Sequence, residues 1–253
     1  MEAKARIALL IDADNSSAKK IDLILNELSA YGETSIRRAY GNWTKDALKP
    51  WADVLHEHAI RPVQQFDYSR GKNASDMAMV VDAMALLYND RPDVFGIVSS
   101  DADFTPLVMH LKEKGAAVFG FGELKTPAPF QSACSRFLFH EKLATPEEED
   151  DTASADEEAP RARLRVPTAK LKQDTALVTL LRNAVGGAAD EGGWARVSTV
   201  GQHIANQSSF DSRNYGYTSL TKLLAATQLF DMKDEGKPTF AVRDKRQAKG
   251  RGA

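Results

Sequence analysis

The chain of 253 residues has very little cysteine, and its few histidines are scattered. The single Cys134 excludes an internal disulfide and a cysteine-rich zinc site, and it fits a protein kept in a reducing cytosol. No apolar run reaches the roughly 18 residues that a membrane span needs. Glu2, Lys4 and Arg6 lead directly into a predicted strand, so no signal peptide is expected. These absences predict a cytoplasmic protein with no membrane association.

Two common ligand-binding motifs are also missing. The sequence contains no G-x-x-x-x-G-K-[ST] loop, so phosphate binding of that type is not expected. It does contain two Asp-x-Asp pairs, Asp12 with Asp14 and Asp101 with Asp103. Neither pair is followed by the glycine and glutamate that a calcium-binding loop requires at its sixth and twelfth positions. The acidic pairs therefore need another explanation.

The net charge of −2 is unevenly distributed along the chain. Residues 145–166 are acidic, almost without apolar side chains and bounded by prolines, which predicts a flexible linker. Residues 167–253 carry 13 basic and 8 acidic side chains, so any polyanion-binding role is expected in this part. The predicted organisation is a first domain over 1–144, the linker, a second domain over 167–244 and a basic disordered tail over 245–253.

The first domain alternates between strand and helix patterns. The predicted strands cover residues 6–11, 34–41, 60–66, 94–100 and 116–122. The predicted helices cover residues 16–28, 45–58, 74–88 and 103–115. This alternation predicts an α/β domain of three layers, with a central parallel sheet covered by helices on both faces. In such sheets functional groups gather beyond the carboxyl ends of the strands.

The second domain has a different pattern. A helix is predicted over 168–185, a short strand and helix over 194–205, a helix over 214–227 and a hairpin over 229–243. The order of helix, strand, helix, helix and hairpin predicts a small winged helix-turn-helix domain.

Two predicted strands of the first domain end on acidic side chains, those of Asp12 and Asp101. Asp76 lies in the first turn of a predicted helix, where a carboxylate also stabilises the helix N-terminus. The core face of that helix is predicted to consist of Met77, Val80, Val81 and Met84. Asp82 lies about 240° around the helix from Asp76, which makes it a weaker candidate for the same site.

Converging carboxylates need a counter-charge. Two unit charges 4 Å apart repel by about 4 kcal/mol at an effective dielectric constant near 20. Oxygen ligands without histidine or cysteine suit Mg²⁺ or Mn²⁺, and such a site can activate water to cleave a phosphodiester. Two alternatives remain open at this point. Asp12 with Asp14 could serve an aspartyl phosphatase, and one acidic pair could hold Mn²⁺ for a glycosyltransferase.

Four segments of the first domain resemble the NYN domain family, PIN-like nucleases of the LabA-like type. The matching segments are ALLIDADN, AYGNW, GKNASDMAMVVDAM and IVSSDADFTPLV, spread over residues 7–122. The resemblance implies a PIN-like, Rossmannoid fold and a metal-dependent ribonuclease. The acidic set that it implies, as catalytic residues and ligands of Mg²⁺ or Mn²⁺, is Asp12, Asp76, Asp101 and Asp103.

The same segments contain side chains with supporting roles. Asn15 is expected to orient a ligand, water or phosphate through its amide. Lys72 is a candidate phosphate contact, and Trp43 is a candidate for base stacking or for packing. Secondary candidates around the carboxylates are Asp14, Ser99, Ser100 and Asp82.

Residues 171–243 resemble an OST-HTH, or LOTUS, domain, a winged helix found in RNA-associated proteins. The best-matching segment is FDSRNYGYTSLTKLLAATQLFDM, whose expected core residues are Phe210, Leu220, Leu223, Leu224 and Leu229. Arg213, Tyr217 and Lys222 are candidates for contact with RNA, since they combine charge with a stacking ring. Tyr217 is equally suited to packing the start of its helix.

The combined prediction is a ribonuclease whose second domain captures RNA. The principal alternative is an RNA-binding adaptor with no catalytic activity, and a phosphatase acting on small phosphoesters is a third. RNA is the expected partner, and a second copy of the chain or an RNA-processing protein is a further candidate partner.

Overall fold

The computed structural model describes residues 4–66, 73–143, 165–234, 236–237 and 239–246. The chain divides into two units, Met1–Leu143 and Ala144–Ala253. The predicted linker over 145–166 lies outside the described residues except for its last two positions. Among the described residues, no helix has the length and apolar character needed to cross a membrane.

Apolar strands in the N-terminal unit form one six-stranded sheet in which every neighbouring pair is parallel. Its strands are β1 (Ala5–Asp12), β2 (Gly32–Gly41), β3 (Arg61–Gln64), β4 (Val94–Val98), β5 (Ala117–Gly122) and β6 (Arg136–Phe139). The spatial order is β3-β2-β1-β4-β5-β6. The chain therefore runs outward from β1 to β3 and then crosses to β4 on the other side of β1. This reversal leaves a crevice at the carboxyl ends of β1 and β4.

Helices cover both faces of this sheet. They are α1 (Ile21–Ser29), α2 (Lys49–Leu55), α3 (Ala74–Asn89), α4 (Thr105–Glu113) and α5 (Ala128–Ala133). One core cluster joins α1 and α2 to one face of the sheet, and a second joins α3, α4 and α5 to the other. The residues Ile7 to Ile11 of β1 are fully buried between these layers. The predicted three-layer α/β fold is confirmed.

The predicted core face of α3 is wrong for two of its four residues, since Val80 and Met84 pack against the second core cluster but Met77 and Val81 do not. Met77 and Val81 are 61% and 64% exposed, whereas Met79 and Ala83 are fully buried with Leu86 beside them. An apolar residue occurs at nearly every position of this helix, so periodicity alone did not identify the face that packs. Asp76 is on the packed side and only 8% exposed.

The sequence patterns also missed α5 and the sixth strand. Helix α5 has only six residues, and β6 has four, which pair in parallel with β5 from Phe119 to Gly122. Phe130 and Phe137 bring both elements into the second core cluster, with their rings 5.9 Å apart and nearly perpendicular. Elements this short provide too few residues for a period to be recognised.

The C-terminal unit is a separate helical domain with a small antiparallel sheet. Its helices are α6 (Thr168–Gln173), α7 (Thr175–Ala188), α8 (Val197–Gln207) and α9 (Leu220–Thr227). Its strands are β7 (Ala195–Arg196), β8 (Phe230–Lys233) and β9 (Ala241–Asp244), in the order β7-β9-β8. Asp174 divides the single predicted helix over 168–185, because its carboxylate accepts the Leu177 N–H as an N-cap of α7. The remaining element order is the predicted winged-helix order.

Candidate functional site

The ends of β1 and β4 meet at the carboxyl edge of the parallel sheet. Ile11 pairs with Val98, so the next residues, Asp12 and Ser99, lie side by side. The Ser99 hydroxyl donates to Asp12 Oδ2 at 2.9 Å. Asn15 donates to Asp12 Oδ1 through its backbone and its side-chain amide, at 3.2 and 3.3 Å. Both oxygens of this buried carboxylate are therefore held in place from within the chain.

The loop after β4 presents the second acidic pair. Asp101 caps a 3-10 turn by accepting the Asp103 N–H at 2.8 Å, and its own N–H donates to the Ser99 hydroxyl at 3.1 Å. Asp101 is half-buried and Asp103 is exposed. The Ser100 hydroxyl accepts the Glu123 N–H at 2.9 Å. The two serines thus act within the protein as positioning groups for the strand ends.

The start of α3 completes the acidic edge. The Ser75 hydroxyl donates to Asp14 Oδ2 at 2.9 Å, and the Asn73 amide donates to Asp103 Oδ2 at 3.4 Å. These two bonds link the helix N-terminus to the loops after β1 and β4, and Asp76 lies in the first turn of the same helix. Asp14 also accepts the ammonium group of Lys45 at 3.2 Å. The charge of Asp14 is therefore partly balanced from within the chain.

Asp76 is the least satisfied group of the site. Its Oδ1 atom is buried and has no hydrogen-bond partner. Burial raises the pKa of Asp76 to about 6, with further contributions from the charges of Asp12, Asp101, Asp14 and Asp103. Burial also raises the pKa of Asp12, against the opposing effect of its bonds from Ser99 and Asn15. The field at this edge therefore favours a proton or a cation.

An open cleft of about 610 Å³ adjoins the carboxylates. Asp14, Asn15 and Asp101 line one part of it, and Glu123 and Lys125 line another. Glu123 follows the end of β5 and pairs with Lys125 at 2.7 Å. Neither residue was predicted from the sequence, although Glu123 directly follows a predicted strand, as Asp12 does. The cleft is large enough for a nucleotide, since small-molecule sites typically measure about 300–1,000 Å³.

The oxygen atoms of this edge are of the chemical type that hard divalent cations bind, and Asp76 Oδ1 has no hydrogen-bond partner. Among the described residues, however, no three His, Cys, Asp or Glu side chains are arranged as a group that could hold a metal ion. Mg²⁺ commonly keeps several waters and binds through only one or two carboxylates. The donor set therefore suits an ion that retains part of its water shell.

Other predicted residues of the first domain have different surroundings. Asp82 pairs with Arg38 and accepts the hydroxyl of Tyr40, so it belongs to a polar contact between α3 and β2. Trp43 packs against the first core cluster, and its indole N–H donates to the Val63 carbonyl at 3.1 Å. Lys72 lies outside the described residues.

In the C-terminal unit, two of the predicted RNA contacts are occupied by intramolecular bonds. The Arg213 guanidinium binds Asp211 through two nitrogens, at 3.0 and 2.9 Å. The Tyr217 hydroxyl donates to the Val166 carbonyl at 2.9 Å. Lys222 is exposed in the first turn of α9.

Comparisons with known proteins agree with this architecture. Residues 6–141 match the NYN domain, and residues 170–241 match the OST-HTH/LOTUS domain. The chain therefore belongs to the NYN domain family and carries a C-terminal OST-HTH/LOTUS domain, as its sequence segments predicted.

Two individual proteins illustrate the likeness. The uncharacterized protein MJ0482 of Methanocaldococcus jannaschii is 35% identical over 121 residues, which cover 46% of this chain and 47% of that protein. The chain thus matches about half the length of this relative. A protein of unknown function from Vibrio parahaemolyticus, VPA0982, has a solved structure that aligns with a TM-score of 0.45 and 17% identity. That alignment covers 55% of this chain and 94% of the Vibrio chain.

Proposed function

We propose that the protein is a metal-dependent ribonuclease that hydrolyses RNA phosphodiester bonds at the carboxyl edge of the parallel sheet. The observation that carries the proposal is Asp76, a buried carboxylate with an unpartnered oxygen surrounded by four other carboxylates. Such an arrangement is costly unless a cation or a proton neutralises it. NYN domains are generally ribonucleases, and the OST-HTH/LOTUS domain suggests association with RNA.

Four aspartates are the proposed ligands and catalytic residues. Asp12, Asp76, Asp101 and Asp103 would hold Mg²⁺ or Mn²⁺, directly or through water. When bound, such an ion lowers the pKa of coordinated water and stabilises charge on a leaving oxygen. Ser99 and Asn15 fix the orientation of Asp12 through the bonds described above. The open cleft beside Asp101 would admit the RNA backbone to these residues.

The C-terminal unit is proposed to capture RNA for the N-terminal unit. Each unit has its own hydrophobic core, so one can bind while the other performs chemistry. Connecting a binding unit to a catalytic unit raises the local concentration of substrate at the catalytic site. We also propose a cytoplasmic location, because the single cysteine is free and fits a reducing compartment.

A second candidate function is an RNA-binding adaptor without catalysis. It is favoured by the partners that the carboxylates already have, since Asp12 accepts from Ser99 and Asn15 while Asp14 pairs with Lys45. It is also favoured by the missing three-residue metal group among the described positions. The two candidates make opposite predictions about turnover.

The test is cleavage of labelled single-stranded RNA by the wild type and by Asp101→Asn, in Mn²⁺, Mg²⁺ or excess chelator. Even changes behind the ligands of metal sites cost about 10–100-fold, so loss of a ligand is expected to lower the rate by at least roughly 100-fold. Asp53→Asn is the matched control, because Asp53 is exposed on α2. Binding without cleavage in every condition would select the adaptor. Cleavage that is equal in Asp101→Asn and wild type would place the chemistry elsewhere.

A further inference from the structure

The three-stranded sheet of the C-terminal unit has one apolar face and one basic face. Directly opposed residues of an antiparallel pair lie on the same face, and successive residues alternate between faces. Val242 and Phe230 point into the core of the unit. On the other face, Lys233 and Arg196 both oppose Ala241 in the register.

Arg243 lies two residues after Ala241 on β9, so it is on the same face, and it opposes Asp231. Its guanidinium binds that carboxylate at 3.2 Å. Lys233 and Arg196 are exposed, and Arg243 is half-buried. We call the surface formed by Trp194, Arg196, Lys233 and Arg243 the basic sheet face. It combines three cations with the carboxylate of Asp231, and the carboxylate of Asp190 lies beside Trp194.

Trp194 lies over this surface immediately before β7. The Lys233 ammonium is 4.4 Å from the centroid of its ring, and the Arg243 guanidinium carbon is 4.6 Å from it. The backbone on either side of the ring is fixed, because the Trp194 N–H donates to Asp190 Oδ1 and its carbonyl accepts the Asp190 N–H. The ring is half-buried, so part of it remains open to solvent. Both cations lie over the ring, so the exposed part of the ring stands beside two positive charges. An aromatic ring with adjacent cations is the combination that single-stranded nucleic acids bind through their bases and phosphates.

We propose that the basic sheet face binds single-stranded RNA, with an unpaired base against the exposed part of the Trp194 ring and neighbouring phosphates on Lys233, Arg243 and Arg196. The inference rests on the proposed function and specifies the surface that captures the substrate. An unpaired strand fits because its bases are free to stack, whereas those of a duplex are already stacked on one another. This surface is formed by other residues than the predicted Arg213 and Tyr217 contacts, and two of its cations, Lys233 and Arg196, are exposed.

The two kinds of contact leave different signatures in a binding assay. Stacking on an aromatic ring depends little on salt, whereas each phosphate contact of a single strand adds about 0.7 to the slope of log affinity against log salt. We therefore expect Trp194→Leu to weaken binding by about 10-fold or more without changing the slope. Trp194→Phe should restore most of the affinity, and Lys233→Gln should reduce the slope by about 0.7.

The experiment uses the full chain and a fluorescein-labelled oligouridylate of about 12 nucleotides, with chelator present so that the RNA stays intact. Anisotropy is measured at several salt concentrations, and the unfolding midpoint of each variant is recorded. Lys170→Gln is the matched control, because Lys170 is an exposed cation on α6, outside the basic sheet face. A second measurement is quenching of tryptophan emission by RNA, which should be reduced in Trp194→Phe.

Each outcome decides the question. If Trp194→Leu disrupts folding, the exposed Lys233 and Arg196 still test the surface through their glutamine variants. Unchanged affinity and slope in these variants, or equal losses in Lys170→Gln, would overturn the inference while leaving RNA cleavage by the wild type intact. A wild type that neither binds nor cleaves RNA would refute the proposed function, and the basic sheet face with it.

Discussion

Replacing Asp76 by asparagine should stabilise the folded N-terminal unit at neutral pH. The substitution keeps the size of the side chain and removes a negative charge that is buried among other carboxylates. The new amide can also donate hydrogen bonds to neighbouring carboxylates, which the ionised aspartate cannot do. The same change removes a proposed metal ligand, so stability and activity should move in opposite directions.

The size of the effect follows from the pKa. A rise from the ordinary value of 3.8 to about 6 is roughly two units, and each unit corresponds to about 1.4 kcal/mol. Because the folded-state pKa is raised, the stability contributed by Asp76 is fully present below pH 3.8 and is lost as the pH rises through about 6. Since the cleft beside the site is open, screening reduces the difference, and we expect a gain of about 1–3 kcal/mol for Asp76→Asn at pH 7.5.

The assay is urea unfolding in chelator at pH 7.5 and near pH 4, in a Trp194→Phe background. Trp43 and Trp51 then report only on the N-terminal unit. Asp82→Asn is the matched control on the same helix. It should lower the unfolding free energy by about 1–3 kcal/mol at pH 7.5, because Arg38 and Tyr40 lose their carboxylate partner.

Two results would refute this reasoning. One is an Asp76→Asn protein that is no more stable than wild type at pH 7.5. The other is a gain that is equally large near pH 4, where Asp76 is largely protonated and its charge should no longer matter.

Millimolar Mn²⁺ should stabilise the wild type by about 1–3 kcal/mol, since an ion at about 100 times its Kd contributes roughly 2.7 kcal/mol. Asp76→Asn should gain less.

The remaining predictions concern the supports of the site and the division of labour between the units. A Cβ atom at Gly122 would lie 2.8 Å from the Ser99 carbonyl oxygen, so Gly122→Ala should lower the unfolding free energy by about 1–3 kcal/mol and slow RNA cleavage. Trp51→Phe removes the indole donor to the Ser16 carbonyl at 3.0 Å, and urea unfolding should show a loss of about 1–3 kcal/mol. Deleting residues 167–253 should weaken RNA binding more than the rate of a single catalytic turnover, and equal binding by the truncated protein would contradict the capture role.

The sequence predicted long elements with a clear apolar pattern well, and it missed short elements or the packed face of uniformly apolar ones. Long apolar strands such as β1 were predicted to within a residue or so, because burial on both faces leaves a continuous run. β6 was missed, since it has only four residues and its position depends on pairing with β5. Met77 was assigned to the core and is exposed, because a helix that is apolar nearly all round does not reveal which side packs.

Some residues of the candidate site were likewise predictable from the sequence, and others were not. Asp12 and Asp101 were predictable as neighbours, since parallel strands end at one edge and each strand is followed by its acidic pair. Glu123 also follows a strand end but lacks a second acidic residue nearby, so the pattern did not identify it. The partner of Arg213 was also unpredicted, since a sequence shows which side chains can bind RNA but not which already bind a neighbour such as Asp211.

The partners of Asp12 and Asp14 favour the adaptor, whereas the proposed bound cation is supported by Asp76, whose buried oxygen has no partner. Ser99 and Asn15 hold Asp12, and Ser75 with Lys45 holds Asp14, so the chain supplies partners to the carboxylates at the first strand end. The buried oxygen of Asp76 receives none, although it experiences the repulsion of all its neighbours. Leaving that group unpaired lowers the stability of the fold, and a single substitution to asparagine would recover it. Functional sites commonly retain groups that cost stability in this way. If Mn²⁺ stabilises the wild type and Asp76→Asn loses both that gain and RNA cleavage, the cost has its explanation in the bound ion.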